Sequence, residues 1–198
     1  MQKRWLTYAM VIVLVLVAGC TTSSTPSSPQ STTQSPGPAA PATNTPGSST
    51  MTVHVGSLNP GDPLPAMYTC AGSSSVTPPV SWENVPPGTQ SLVLILDDPD
   101  SSLTQWLLYN IPPAPGNLAA NQPDEKVLSN GAQQGESSTG LRGYYPPCPP
   151  IGTQNRYIFR LYAVDMVIAE PTAERDAIDS ALTGHTLAEA DFVTTFKR

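Results

Sequence analysis

Residues 91–112 read SLVLILDDPDSSLTQWLLYNIP. An uninterrupted apolar run, 91–96, stops at two adjacent aspartates, a proline and a third aspartate. A second run, QWLLYNI (105–111), begins five residues later. Continuous apolar runs of this length between turn signals predict strands covered on both faces. The three carboxylates between them have two readings. Asp-Pro-Asp is good turn chemistry and suits a solvated connection. Alternatively, the turn holds the carboxylates at the mouth of a pocket, since functional side chains concentrate on loops carried by a rigid scaffold.

Strand signals dominate on both sides of this stretch. MTVHVGSL (51–58) alternates weakly, and VSWENV (80–85) is followed by the turn signal PPGTQ. RYIFRLYAVD (156–165) alternates along its length. Short strands separated by Pro- and Gly-rich turns predict an all-β sandwich or barrel. Residues 112–150 form a long irregular stretch, a length uncommon in loops without a function. TAERDAIDSALTGH (172–185) predicts one helix, with Thr172 as its N-cap and Gly184 as its stop. LAEAD suggests a further helical turn, and FVTTFKR (192–198) a final strand.

The N-terminus is of another kind. MQKRWLTYAMVIVLVLVAGC (1–20) combines basic Lys3 and Arg4, an apolar segment and small residues ending in Cys20. This is the pattern of a signal peptide whose cleavage leaves a lipid-bearing Cys20. The apolar run is shorter than the roughly 20 residues of a membrane span. Residues 21–50 contain only Ser, Thr, Pro, Ala, Gly, Gln and Asn. They cannot bury enough surface to offset chain entropy and read as a disordered tether spanning about 30 Å. The expected organisation is a signal peptide (1–19), a lipidated cysteine and tether (20–50), and one domain (51–198), anchored through Cys20 on the extracytoplasmic face of the cell membrane.

Setting Lys3 and Arg4 aside from the nine basic residues leaves seven against 15 acidic, a net charge of −8. With no basic run, nucleic acid is excluded as a natural partner. Cys70 and Cys148 lie in the domain, and export would place them where disulfides form. Their spacing leaves pairing and two buried thiols both open. Neither fits a metal-ligand spacing, so no metal or cofactor is expected.

Three motifs, in order, carry a family resemblance: DDPD (97–100) followed by QWLLYNIP (105–112), GYYPPCPPIG (143–152), and NRYIFRLYAVD (155–165). YTC and PPVSWENVPPGTQSL (68–92) fit the same pattern upstream. The domain resembles the phosphatidylethanolamine-binding protein family in its bacterial and archaeal branch, akin to Raf-kinase inhibitor proteins. The resemblance implies a mostly β, Greek-key sandwich of two antiparallel sheets with one or two short C-terminal helices. It also implies a small anion-accepting pocket at one end. By motif position the pocket would take Asp98, its neighbour Asp100, Tyr157, and a wall from Tyr144, Cys148 and Pro149. The family's two usual histidines fall at Gln105 and Asn155 here. The ring donors are thus replaced by amides that never carry a proton charge. A carboxylate and a phosphate about 4 Å apart repel by roughly 4 kcal/mol at an effective dielectric near 20. Phosphate would then need Arg142 or Arg156 nearby, or a protonated Asp98, and a neutral polar or ammonium group fits better.

Function follows from these readings. The first is a membrane-tethered binding module for a small polar ligand or lipid head group. The alternative is a protein-interaction or enzyme-inhibitor module with a vestigial pocket, contacting its partner through 112–150. No histidine is placed as a base and no activated nucleophile is evident, so the chain is not expected to be an enzyme.

Overall fold

The computed structural model describes residues 50–74, 76–169 and 174–198. The signal peptide, Cys20, the tether up to residue 49 and the Thr172 cap lie outside those residues. No helix among them is long and apolar enough to cross a membrane.

Two antiparallel sheets build the domain. The smaller has three strands in the order β1 (Thr52–Val55), β2 (Val80–Glu83), β5 (Asn117–Leu118). The larger runs β6 (Gln133–Gln134), β4 (Leu103–Ile111), β3 (Ser91–Asp98), β7 (Gln154–Val164), β8 (Thr186–Lys197). A short 3-10 turn, Ala66–Tyr68, precedes β2, and helix α1 (Arg175–Leu182) precedes β8.

The central strand β3 shows why residues 92–96 are apolar without a break. All eight of its residues are buried. Leu92, Leu94 and Leu96 face the small sheet, packing with Val53, Val80, Trp82, Trp106, Phe159 and Phe192. Val93 and Ile95 face the other way, against Leu107, Tyr109, Ile178 and Leu182. Successive strand residues point to opposite faces, so a strand between a sheet and a helix must be apolar at every position.

An isolated eight-residue helix is marginal in water, so α1 depends on docking its apolar face. Ile178 and Leu182 supply that face. The helix begins later than the sequence suggested, with Glu174 at the N-cap position and no side-chain cap. Its end is as expected: Gly184 follows with φ of +80°, which glycine adopts without steric cost. Residues 187–191, expected to continue as helix, instead extend β8, whose register with β7 runs from Gln154↔Lys197 to Val164↔Thr186. Pairing along an existing edge outweighs the helix propensity of Leu, Ala and Glu.

Between residues 112 and 150 the chain is irregular but tied down. It contributes β5 and β6, and Trp82 Nε1 donates to the Pro113 carbonyl at 2.8 Å. Cys70 and Cys148 form a disulfide with Cα atoms 5.3 Å apart, which resolves the pairing left open by the sequence. The bond fastens the Pro-Pro-Cys-Pro-Pro segment to the end of the 3-10 turn, where Cys70 N–H also donates to the Pro147 carbonyl.

Candidate functional site

The three aspartates of the opening turn go three separate ways. The pleat sends Asp97 and Asp98 to opposite faces of β3, and Asp100 lies beyond the strand end. Asp98 is 2% exposed. Its carboxylate accepts from Asn155 Nδ2 at 3.2 and 2.9 Å, and from the Ser101 backbone N–H at 3.0 Å. The same Nδ2 donates to Ser101 Oγ at 2.8 Å. Asp98 and Asn155 therefore form one buried hydrogen-bonded unit at the end of β3 and β7.

Tyr157 lies beside that unit on β7 and is fully buried. Burial pushes its hydroxyl above the ordinary tyrosine value, and the negative charge of Asp98 pushes it further the same way. The group therefore stays protonated and keeps a proton to donate. Its Oη is near enough to Asp98 to feel that charge, yet it makes no hydrogen bond of good geometry.

Gln105 arrives by a bulge. Leu96 pairs with Trp106 and Asp97 with Thr104, so Gln105 is the extra residue on β4. Bulges beside sites re-aim a side chain in this way. Gln105 is 2% exposed, and its Oε1 is buried with no partner. Its backbone carbonyl accepts from the Tyr145 N–H at 2.7 Å, which brings the 143–150 segment to the same end of the sheet.

That segment forms a wall. Tyr144 stands edge-on to Trp106, with ring centroids 5.5 Å apart, and its hydroxyl donates to the Tyr68 carbonyl at 2.6 Å. Burial raises its pKa, followed by the proximity of Tyr157 and Tyr68. Trp106 Nε1 donates to Gln134 Oε1 at 2.8 Å, and Gln134 Nε2 in turn ties down the Pro123 and Glu125 carbonyls. Cys148 is held in the disulfide, and Pro149 is buried beside it.

Asp100 is placed differently. Its carboxylate takes the Arg156 backbone N–H at 2.7 Å and the Arg156 guanidinium at 2.8 and 3.3 Å. The side-chain bond from Arg156 holds its pKa below the usual carboxylate value. This pair sits at the surface, and Arg142 pairs with Glu136 at 3.9 Å. Neither arginine singled out in the sequence therefore makes an ion pair with Asp98.

A group that sequence reasoning missed lies on the opposite face of β3. Asp97 receives Arg160 from β7 and Arg175 from α1, together with Thr104 Oγ1 at 3.0 Å. The signal available was the strand period, which separates Asp97 from Asp98. Nothing in the sequence brings residues 97, 160 and 175 together. Among the described residues no group of His, Cys, Asp and Glu side chains could hold a metal ion.

Two antiparallel sheets, a buried carboxylate at the end of the central strand, and a wall of Tyr144 and disulfide-bonded Cys148 make up this end of the sandwich. Residues 55–197 match the family described as phosphatidylethanolamine-binding protein, and the chain belongs to that family. It is 43% identical over 139 residues to the UPF0098 protein of Methanothermobacter thermautotrophicus, covering 68% of this chain and 91% of the relative. It is 37% identical over 158 residues to that of Aquifex aeolicus, covering 77% and 91%. Among solved structures, a putative phosphatidylethanolamine-binding protein homologue from Chlamydia trachomatis superposes with a TM-score of 0.67 at 32% identity, covering 75% of this chain and 98% of its own. E. coli YbcL shares the fold, with a TM-score of 0.68 at 22% identity over 76% and 99% of the two chains.

Proposed function

We propose that the domain is a binding module, and that its pocket takes a group rich in hydrogen-bond donors, neutral or ammonium-bearing, in place of an oxyanion. The observation that carries this reading is a buried acceptor without a partner, Gln105 Oε1, at the end of the sheet where the Asp98 carboxylate is buried. A buried acceptor left unpaired costs about 1–3 kcal/mol, which a donor ligand would recover. An oxyanion would meet the Gln105 acceptor and the Asp98 carboxylate, with no histidine to offset the charge and the Tyr157 hydroxyl as the facing donor. The reading places the domain outside the membrane, tethered through a lipidated Cys20, and gives it no catalytic role.

A protein-interaction or inhibitor role is supported by a separate observation. Val127, Leu141 and Ile151, in or next to the long irregular segment, are 50%, 61% and 82% exposed. Apolar side chains displayed on a segment of this length suit a partner surface.

The test is an NMR titration of the full chain with ethanolamine, phosphoethanolamine, phosphate and acetate. The reading expects saturable shifts at Gln105 and Tyr157 with the two amines and none there with acetate. Shifts at those residues with phosphate alone would overturn it. Silence from all four ligands would move the weight to the exposed apolar segment.

A further inference from the structure

Strand β8 is the outer edge of the larger sheet, and only part of that edge is covered. The 61–64 segment runs along it. Gly61 N–H donates to the Val193 carbonyl, Leu64 N–H to the Thr195 carbonyl, and Thr195 N–H to the Asp62 carbonyl. Residues 193 and 195 therefore turn their backbone groups away from β7. The register with β7 is unbroken from Ala163↔Ala188 to Gln154↔Lys197, so Glu189 and Asp191 turn theirs the same way. Their outward N–H and C=O groups make no hydrogen bond among the described residues. Beside them a groove of about 560 Å³ opens between β8 and β1, the edge strand of the smaller sheet. Met51, Val53, Leu58, Ala190 and Phe192 give it an apolar lining. We infer that this groove docks an extended segment of a partner protein, in which basic and apolar residues alternate and which pairs with β8 along 189–191.

The backbone supplies the first argument. Each residue carries one donor and one acceptor, so Glu189 and Asp191 offer both kinds at the open edge. Such an edge is a template for a further strand, and strand addition is a general mode of peptide recognition. The pleat then fixes the pattern of the added segment. Side chains directly opposite each other in a sheet share a face, and successive ones alternate. A partner residue opposite Glu189 or Asp191 therefore lies beside a carboxylate. The residue between those two lies with Ala190, over the groove. Ala190 is small and half-buried against the core, which leaves room there for a larger apolar side chain.

Charge is the second argument. Asp191 is answered in part by Arg160, whose Nε lies 3.8 Å away. Glu189 is exposed and makes no ion pair among the described residues, so a Lys or Arg opposite it meets an unanswered charge. The same charges select against a second copy as the occupant. Residues 186–191, TLAEAD, hold two acidic side chains and no basic one, so pairing two such edges would set carboxylate against carboxylate. The bland alternative is that Glu189 merely guards the edge against self-pairing. A guard does not account for the groove. The chain covers 193–195 with its own 61–64 segment, and leaves 189–191 open beside an apolar-lined concavity.

This edge depends neither on the Asp98 pocket nor on the 112–150 segment, and one experiment separates them. The full chain is titrated with the capped peptide Lys-Val-Lys-Val-Lys-Val and with its block isomer Lys-Lys-Lys-Val-Val-Val. Amide shifts and amide hydrogen exchange at residues 187–193 are followed by NMR. The alternating peptide should bind saturably, weaken with added NaCl, and slow exchange at the Glu189 and Asp191 N–H groups. The block isomer has the same charge and should bind about tenfold more weakly, because it cannot place its apolar residues over the groove. Glu189→Lys should weaken binding by at least about tenfold. Glu189→Gln removes the charge alone. Glu189→Pro also removes the outward N–H, which β7 does not use, and should bind more weakly than Glu189→Gln. Tyr157→Phe should change nothing. If Glu189→Lys is folded by its amide spectrum and binds as the wild type does, the inference is wrong. It is equally wrong if the two peptides bind alike, if binding leaves the two amides unprotected, or if neither peptide shifts residues 187–193. Protection of both amides before peptide is added would show the edge already occupied, by the chain itself or by a second copy, and would overturn it as well.

Discussion

Removing the Asn155 amide should destabilise the fold through Asp98 in particular, and the size of the effect can be worked from the geometry. Asn155 Nδ2 meets both oxygens of a carboxylate that is 2% exposed, and also Ser101 Oγ. A hydrogen bond to a charged group contributes about 2 kcal/mol and a neutral one about 1 kcal/mol. Asn155→Ala should therefore cost about 3 kcal/mol. The Ser101 N–H bond to Asp98 remains, so the carboxylate is not left wholly without donors. In an Asp98→Asn background only the neutral share should be lost, about 1 kcal/mol. The double-mutant cycle then isolates a coupling of about 2 kcal/mol. Urea unfolding read by fluorescence of buried Trp82 and Trp106 measures each corner, with equal slopes confirming comparable unfolded states. A coupling under about 0.5 kcal/mol, the usual additivity error, would refute the claim that the amide is there for the carboxylate.

Three further outcomes follow from the same structure. The Cys70–Cys148 bond closes a loop with a sequence separation of 78, so the Cys70→Ser/Cys148→Ser variant should lose about 4 kcal/mol in chemical denaturation. Leu94 is fully buried at the centre of β3, and Leu94→Ala should lower stability by about 3 kcal/mol in the same assay. Tyr144 and Tyr157 have folded-state pKa values raised above the ordinary tyrosine value, so the unfolded chain releases these protons first. Their contribution is intact below about pH 10 and is lost as pH rises above it, and Tyr157→Phe should flatten that alkaline loss in urea melts at stepped pH.

What could be read in the sequence depended on whether the signal was local. β3 was legible because the middle of a strand covered on both faces must be apolar at successive positions, and residues 92–96 are. The end of α1 was legible because Gly184 takes a positive φ. The first half of β8 was not. Residues 187–191 read as helix, and pairing with β7 decides their conformation. β5 and β6, two residues each, leave no pattern to detect. The disulfide could not be decided from a spacing of 78 residues, because spacing alone says nothing about proximity. In the candidate site, Asp98, Asn155 and Tyr157, singled out by motif position, lie side by side in the structure. The bulge at Gln105 and the pairing of Asp100 with Arg156 needed coordinates. The Asp97 cluster needed them most, since Arg160 and Arg175 lie 63 and 78 residues from the aspartate they share.

The central claim is that two amides, Gln105 and Asn155, have turned the pocket away from oxyanions. It is tested most directly by the phosphate affinity of Gln105→His/Asn155→His against the wild type, read at the Tyr157 ring at about pH 6, where unperturbed histidines are largely protonated. The account predicts saturable phosphate binding at Tyr157 in the variant, at least about tenfold tighter than in the wild type, since one restored charge-assisted contact contributes about that much. Equal affinities in two folded proteins would contradict it.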